Sequence, residues 1–362
     1  MVTVSHETGK KIHEILESHG KKKALLVCDP AFDKIVLHDE ISFSDISLVR
    51  FSDFTPNPKY EDVCKGVDLF NKENCDSIIA VGGGSSMDVA KCIKLYSKMD
   101  PSVNYLEQEY VKNNVLLIAV PTTSGTGSES TRYAVIYYNG KKQSVSNVDA
   151  IPDYAILDSR VLSTLPLYQK KCTAMDALCQ GIESWWSVNA DDESRKLSEK
   201  AVEMIKENLD AYLANTDDGN EKMMIAANYA GRAINITQTT AAHAMSYKLT
   251  SLYGIPHGRA AFTCLPYVWE FMNFKVSDDK LEKTFSDISH ALGFERTEEA
   301  ISFLKQLYDK LFEDRKVSVK AEDLETLTSS VNPVRLKNNP VQLKEPDLRK
   351  IYSTVISESG IL

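Results

Sequence analysis

The apolar residues of this chain change their period near Thr164, and that change limits the folds open to it. Before it, short apolar runs end in Asp, Gly or Pro: KALLVCD (23–29), ISLVRFSDF (46–54), SIIAVGGG (77–84), NVLLIAVPT (114–122), YAVIYY (133–138) and YAILD (154–158). Helical patterns lie between several of them, as in KYEDVCKGVDLFNKE (59–73) and SMDVAKCIKLYSK (86–98). Such alternation predicts a parallel sheet covered by helices. After Thr164 the helical period continues through AVEMIKENLDAYL, MMIAANYAGRAI, AISFLKQLYDKLF and LRKIYSTVI, with no convincing strand. TDDGNE (216–221) reads as a turn between helices. The expectation is an α/β, Rossmann-like domain over residues 1–163 followed by an all-α domain over 164–362.

A chain of 362 residues is long enough for two cores. Its net charge of −9 argues against a general nucleic-acid or anionic-membrane binder. The seven cysteines include no CxxC pair, and an odd number leaves one unpaired, so reduced, buried thiols are expected rather than a disulfide framework. The opening MVTVSHETGKKIHEIL has no apolar core of signal-peptide type, and no run of 18 apolar residues follows. A cytoplasmic location is the expectation.

Two loops of the first half suit a dinucleotide. SIIAV runs into Gly82-Gly83-Gly84-Ser85-Ser86 and then a helix, where glycine lets the backbone approach a pyrophosphate and the helix start offers free N–H groups. The pattern is GGGS-x-x-D-x-x-K, not GxGxxG, and the same glycines also suit a plain strand-to-helix turn. After VLLIAV comes PTTSGTGSE (121–129), rich in hydroxyls at the end of another parallel strand, where cofactors bind in such sheets. Asp29, closing the first long strand, is placed to accept from ribose hydroxyls and to disfavour a 2′-phosphate, or is a turn aspartate before Pro30.

In the helical half, His243 and His257 stand fourteen positions apart in AAHAMSYKLTSLYGIPHG, the only histidines between His38 and His290. Residues 237–253 read as one helix, with Gly254 as its terminating glycine and Pro256 blocking continuation. In CTAMDALCQGIESWWS (172–187), Asp176 and Gln180 sit four apart on one helical face. Two imidazoles, a carboxylate and an amide oxygen make a ligand set for a divalent metal; two buried structural histidines are the plainer reading.

GGGSSMDVAK, PTTSGTGSEST, IPDYAILD, MDALCQGIES, HAMSYKLTSLYGIPHG and NNPVQLKEPDLRKIY, in this order, resemble the iron-containing (group III) alcohol dehydrogenases, over residues 22 to 355. The resemblance implies an N-terminal nucleotide domain and a helical C-terminal domain, with metal and substrate in the cleft between them. It implies metal ligands at Asp176, Gln180, His243 and His257, and cofactor contacts at Asp29, Gly83, Gly84, Ser85, Asp88, Thr122, Thr123, Thr126 and Lys142. It implies a divalent metal, Fe2+ first and Zn2+ second, NAD(H) with NADP(H) not excluded, and a homodimer. The chain departs from the family at Gln180, where most members carry His and imidazole is the stronger donor. It departs again at Tyr247, where many carry a proton-relaying His, and at its short N-terminus, which lacks an FGxG-type opening.

DALCQ-x-IES-x-WSVN with AHAMSYKLTSLYGIPHG is most similar to the phosphonoacetaldehyde reductases, which form 2-hydroxyethylphosphonate. That likeness implies hydride transfer to a small aldehyde, with Tyr247 as proton donor and Lys248 or Arg259 pairing with the phosphonate. Either base also reads as a solvated helix-end charge. A general short-chain alcohol dehydrogenase, a lyase related to dehydroquinate synthases, or a non-catalytic dinucleotide-binding protein are the competing expectations.

Overall fold

The computed structural model describes residues 1–314 and 319–358. The chain divides into two compact units, Met1–Leu165 with Asn215–Met224, and Pro166–Ala214 with Ile225–Leu362.

The first unit is built on eight strands: β1 (Val2–Val4), β2 (Lys23–Cys28), β3 (Ser47–Phe51), β4 (Ser77–Gly82), β5 (Leu116–Pro121), β6 (Tyr133–Tyr138), β7 (Lys141–Ser146) and β8 (Tyr154–Leu157). Six form an all-parallel sheet in the order β1-β8-β5-β4-β2-β3. Its helices are α1 (Thr8–Ser18), α2 (Leu37–Glu40), α3 (Tyr60–Lys72) and α4 (Gly84–Tyr96). Every residue of β4 and β5 is buried, as a parallel strand covered on both faces requires. From β2 the chain steps one way to β3 and then returns past β2 to β4, so the order reverses between β2 and β4. Crevices at such switch points are where ligands bind. The registers Cys28↔Val81 and Gly82↔Pro121 bring the residues that follow β2, β4 and β5 to one edge.

Two expectations are corrected here. YAVIYY does not join the parallel sheet; it pairs antiparallel with β7 through Asn139-Gly140, both at positive φ. Consecutive left-handed residues are what a two-residue hairpin turn demands. In addition, VTV at the start forms β1 against β8, a strand too short for periodicity to reveal.

The second unit is helical: α5 (Leu167–Trp186), α6 (Asp192–Leu213), the later part of α7 (Asp217–Thr237), α8 (Ala241–Tyr253), α9 (His257–Lys275), α10 (Asp279–Ala291), α11 (Thr297–Phe312), α12 (Leu324–Ser329), α13 (Pro333–Leu336) and α14 (Glu345–Glu358). TDDGNE is not a turn: α7 begins at Asp217, and the turn residue before it is Asn215 at φ 60°. The helix read over 237–253 starts only at Ala241, because Gln238 at φ 63° ends α7. Gly254 at φ 66° closes α8. Among the described residues, no helix is long and apolar enough to cross a membrane, and all seven cysteines are free.

Candidate functional site

In the first unit, the loops after β2, β4 and β5 meet. A Cβ on Gly82, whose φ is 154°, would lie 2.2 Å from Ser86 Oγ and 3.3 Å from Asp29 Oδ2. One on Gly84 would lie 3.1 Å from Thr126 Cγ2, and one on Gly83 3.4 Å from Thr123 Cγ2. Thr122 N donates to Gly82 O at 3.0 Å. Asp29, Gly83, Gly84, Thr122, Thr123 and Thr126 are thus neighbours, while half-buried Ser85 lies in the first turn of α4. That turn has no side-chain cap, so its N–H groups face the loop. Ser86 Oγ and Ser124 Oγ, both buried at this loop, have no hydrogen-bond partner among the described residues. The glycine cradle, the uncapped helix start and two buried donors fit a pyrophosphate. Asp29 Oδ1 also accepts from Ala31 N at 2.8 Å, so the turn role of Asp29 is realised.

Asp88 sits behind this surface. Its carboxylate accepts from Ser128 Oγ at 3.0 Å and from Val135 N at 3.0 Å, tying α4 to the hydroxyl-rich loop and the hairpin. Burial raises its pKa against the pull of Lys91 and, more weakly, Lys142, which stands in β7 opposite Tyr137. Lys91, the last residue of the GGGSSMDVAK motif, is fully buried. It donates to Ser128 Oγ (2.8 Å), Thr131 Oγ1 (3.1 Å) and Tyr133 O (2.8 Å). Burial lowers its pKa to about 8 although Asp88 and Glu129 oppose the shift.

In the second unit, α5 carries Asp176, Gln180 and Glu183 at successive turns, all buried. The first turn of α9 packs directly on α5: a Cβ on Gly258 would lie 2.1 Å from Cys172 O and 2.6 Å from Asp176 Cβ. Only glycine permits that approach, which sets His257 beside Asp176. From the first turn of α8, His243 Nε2 comes to 3.3 Å from Asp176 Oδ1. One ligand atom each from Asp176, His243 and His257 lie within 4.8 Å of one another. The rings of the two histidines cross edge-on at 5.2 Å. Such a cluster fits one divalent ion with ligand bonds of roughly 2.0–2.2 Å. Gln180 belongs to the same group, with Nε2 donating to Asp176 Oδ2 at 3.3 Å.

The sequence reading missed Glu183, whose carboxylate organises this site. Its Oε1 accepts from Thr240 Oγ1 (2.8 Å), Ala242 N (2.9 Å), Thr240 N (3.1 Å) and His243 N (3.3 Å), capping α8 from a different helix. Its Oε2 meets His243 Nδ1. A carboxylate on Nδ1 fixes the ring and its tautomer, leaving Nε2 to face Asp176. Burial disfavours the charged ring of His243, but Glu183 and Asp176 outweigh it and raise its pKa to about 9. Ser246 completes the arrangement, donating to His243 O at 2.8 Å with its oxygen 3.3 Å from His257 Nδ1. A signal for Glu183 was available: it follows Asp176 by seven positions, on the same helical face.

Tyr247, one turn after His243, lies parallel to His257, 5.3 Å away with 8° between the planes. Lys248 is half-exposed. Arg259 is not a solvated helix-end base: it is 2% exposed, bonded to the hydroxyls of Tyr168 and Tyr308 at 3.2–3.3 Å, with its guanidinium 4.9 Å from the Phe312 ring. Arg335, unremarked in the sequence, places its guanidinium carbon 5.0 Å from the centre of the Tyr247 ring.

Comparison with known proteins agrees with this arrangement. Residues 2–159 match the model of the iron-containing alcohol dehydrogenases, and residues 171–356 match that of the family's C-terminal region. The NAD-dependent methanol dehydrogenase of Bacillus methanolicus is 29% identical, over 96% of each chain. The NADPH-dependent butanol dehydrogenase of Clostridium saccharobutylicum is 28% identical over 96% of this chain and 95% of the other. The crystal structure of sulfoacetaldehyde reductase from Bifidobacterium kashiwanohense, in complex with NAD+, superposes with a TM-score of 0.88 at 27% identity, covering 99% of this chain and 97% of the other. With both halves matched and an Asp-His-His cluster on the helices, the chain belongs to the iron-containing alcohol dehydrogenase family.

Proposed function

We propose that the protein is a metal-dependent, cytoplasmic reductase that passes hydride from NADH to a small aldehyde carrying an anionic group, with phosphonoacetaldehyde as substrate and 2-hydroxyethylphosphonate as product. The observation that carries the enzymatic reading is the Asp176–His243–His257 cluster with buried Glu183 behind it. A structural pair of histidines needs no carboxylate on each side of one ring.

Asp176, His243 and His257 would hold a divalent ion, Fe2+ or Zn2+, with Gln180 as fourth ligand; when bound, the ion polarises the substrate carbonyl and stabilises negative charge on its oxygen. Glu183 and Ser246 keep both imidazoles oriented. Tyr247, beside His257, supplies the proton the reduced oxygen requires, directly or through water. The cradle from Gly82 to Ser86 and the hydroxyls of Thr122, Thr123 and Thr126 bind the dinucleotide. Asp29 biases the choice to NADH, a choice that varies in the family, since one relative is named for NAD and another for NADPH.

The anionic substrate rests on the motif resemblance and on the sulfoacetaldehyde reductase, whose named substrate is also a two-carbon aldehyde with an oxyacid. The test is an aldehyde panel with and without a phosphonate, followed at the NADH absorbance with the protein loaded separately with Fe2+ and Zn2+. Preferred turnover of phosphonoacetaldehyde is expected. Equal reduction of propanal or butanal would remove the phosphonate assignment and leave a metal-dependent alcohol dehydrogenase.

A further inference from the structure

We propose that Arg335 docks the anionic end of the substrate, an inference that rests on the phosphonate reading above and adds a residue from outside the family motifs. Asn332 caps the short helix α13 through Val334 N at 2.9 Å, and Pro333 opens it, so the backbone under Arg335 is fixed. From there the guanidinium reaches the Tyr247 ring at 5.0 Å, and that ring lies parallel to His257 at 5.3 Å. Arg335, Tyr247 and His257 form one column running from a cation to the candidate metal ligands.

Three features single out Arg335 among the bases nearby. It is half-exposed, open to a ligand arriving from solvent. Among the described residues, no carboxylate pairs with its side chain and no hydrogen bond is made by it. An arginine lying on an aromatic ring keeps its in-plane N–H edge available, and that edge matches two oxygens of a phosphonate at once. Arg259 lacks this freedom, since Tyr168, Tyr308 and Phe312 hold its guanidinium. Lys248, on the neighbouring helix, offers a point charge without the fork. In phosphonoacetaldehyde a single methylene separates phosphonate from carbonyl, so anion and reacting carbon must be served by groups one side chain apart. Tyr247 is that one side chain.

The test measures kcat/KM for phosphonoacetaldehyde and for propanal in the metal-loaded wild type, R335M, R335K and the control K337M, together with calorimetric binding of 2-hydroxyethylphosphonate to the NADH complex. R335M should lower the preference for the anionic aldehyde roughly tenfold to a hundredfold, chiefly through KM, and weaken 2-hydroxyethylphosphonate binding by a similar factor. R335K should recover part of the loss, because charge returns without the fork, and K337M should retain the wild-type preference. A wild-type preference that persists in R335M overturns the role of Arg335 alone. Equal use of both aldehydes by the wild type overturns the phosphonate reading and Arg335 with it.

Discussion

Glu183→Gln is the perturbation that most directly tests how the metal centre is held. The carboxylate has no solvent exposure, four donors on Oε1 and the His243 ring on Oε2. Glutamine preserves the Oε1 acceptor and therefore the cap on α8. It replaces Oε2 by an NH2 group, which cannot accept from His243 Nδ1. The imidazole must then carry its proton on Nε2, the nitrogen that faces Asp176, and lose its lone pair there. Loss of a carboxylate behind a metal-bound histidine weakens binding by about 10- to 100-fold, or roughly 1.4–2.7 kcal/mol. Competition with a chromophoric chelator measures that factor, and thermal unfolding of the metal-free protein controls for folding. Glu183→Ala should behave differently: it strips the cap and leaves several buried donors unpaired, destabilising the apo protein by about 3–5 kcal/mol. An E183Q protein with wild-type metal affinity would refute the orienting role. So would one whose apo form melts as early as E183A, since the cap would then explain everything.

Three further outcomes follow from the packing. Gly258→Ala puts a methyl group 2.1 Å from Cys172 O; it should destabilise by roughly 1–3 kcal/mol and weaken metal binding by displacing Asp176, whereas an unchanged Tm and metal affinity would show that α5 and α9 are not locked there. Asp29→Gly should improve NADPH use relative to NADH, read from kcat/KM with each; equal use of both by the wild type would take away the reason for the assignment. Lys91 has a folded pKa of about 8 against an ordinary 10.5, so between these values the native state holds fewer protons than the unfolded one and stability rises with pH. Denaturant titrations of wild type and Lys91→Met from pH 7 to 10.5 should therefore show the wild type gaining on the variant by up to roughly 2–3 kcal/mol; a flat difference would contradict the buried-charge account.

What sequence could disclose was set by the range of each interaction. The buried strands KALLVC, SIIAVG and LLIAVP stand out because both faces of a parallel strand need apolar residues, and their ends carry the cofactor motifs. β1 escaped notice because three residues have no period, and the antiparallel pairing of YAVIYY because its Asn139-Gly140 turn leads into a polar partner, KKQSVS. The break at Gln238 depends on one left-handed residue that nothing in TQTT announces. His243 and His257 were legible through their spacing around Gly254–Pro256, and Asp176 through its four-residue spacing to Gln180. The position of Glu183 was legible in its seven-residue spacing from Asp176, but its cap on a helix over fifty residues away leaves no local pattern. The burial of Arg259 was hidden, because a helix-end arginine looks solvated until Tyr168 and Tyr308 arrive from distant helices. Arg335 becomes visible only through the ring it lies on.

The pairing of β1 with β8 has a temporal consequence. Val2 is in register with Ala155, and Met1 O accepts from Ala155 N, so β1 has no partner until some 150 further residues have been made. At roughly 5–20 residues per second, β1 waits on the order of 10–30 s, while the flank of β5 that β8 will cover also stays open. Nascent chains of this protein therefore expose an unpaired strand edge through most of the synthesis of the first unit, the interval in which a holdase protects them best. Once β8 emerges, β5 and β1 are engaged from its two sides, and the three residues of β1 close that edge of the sheet last.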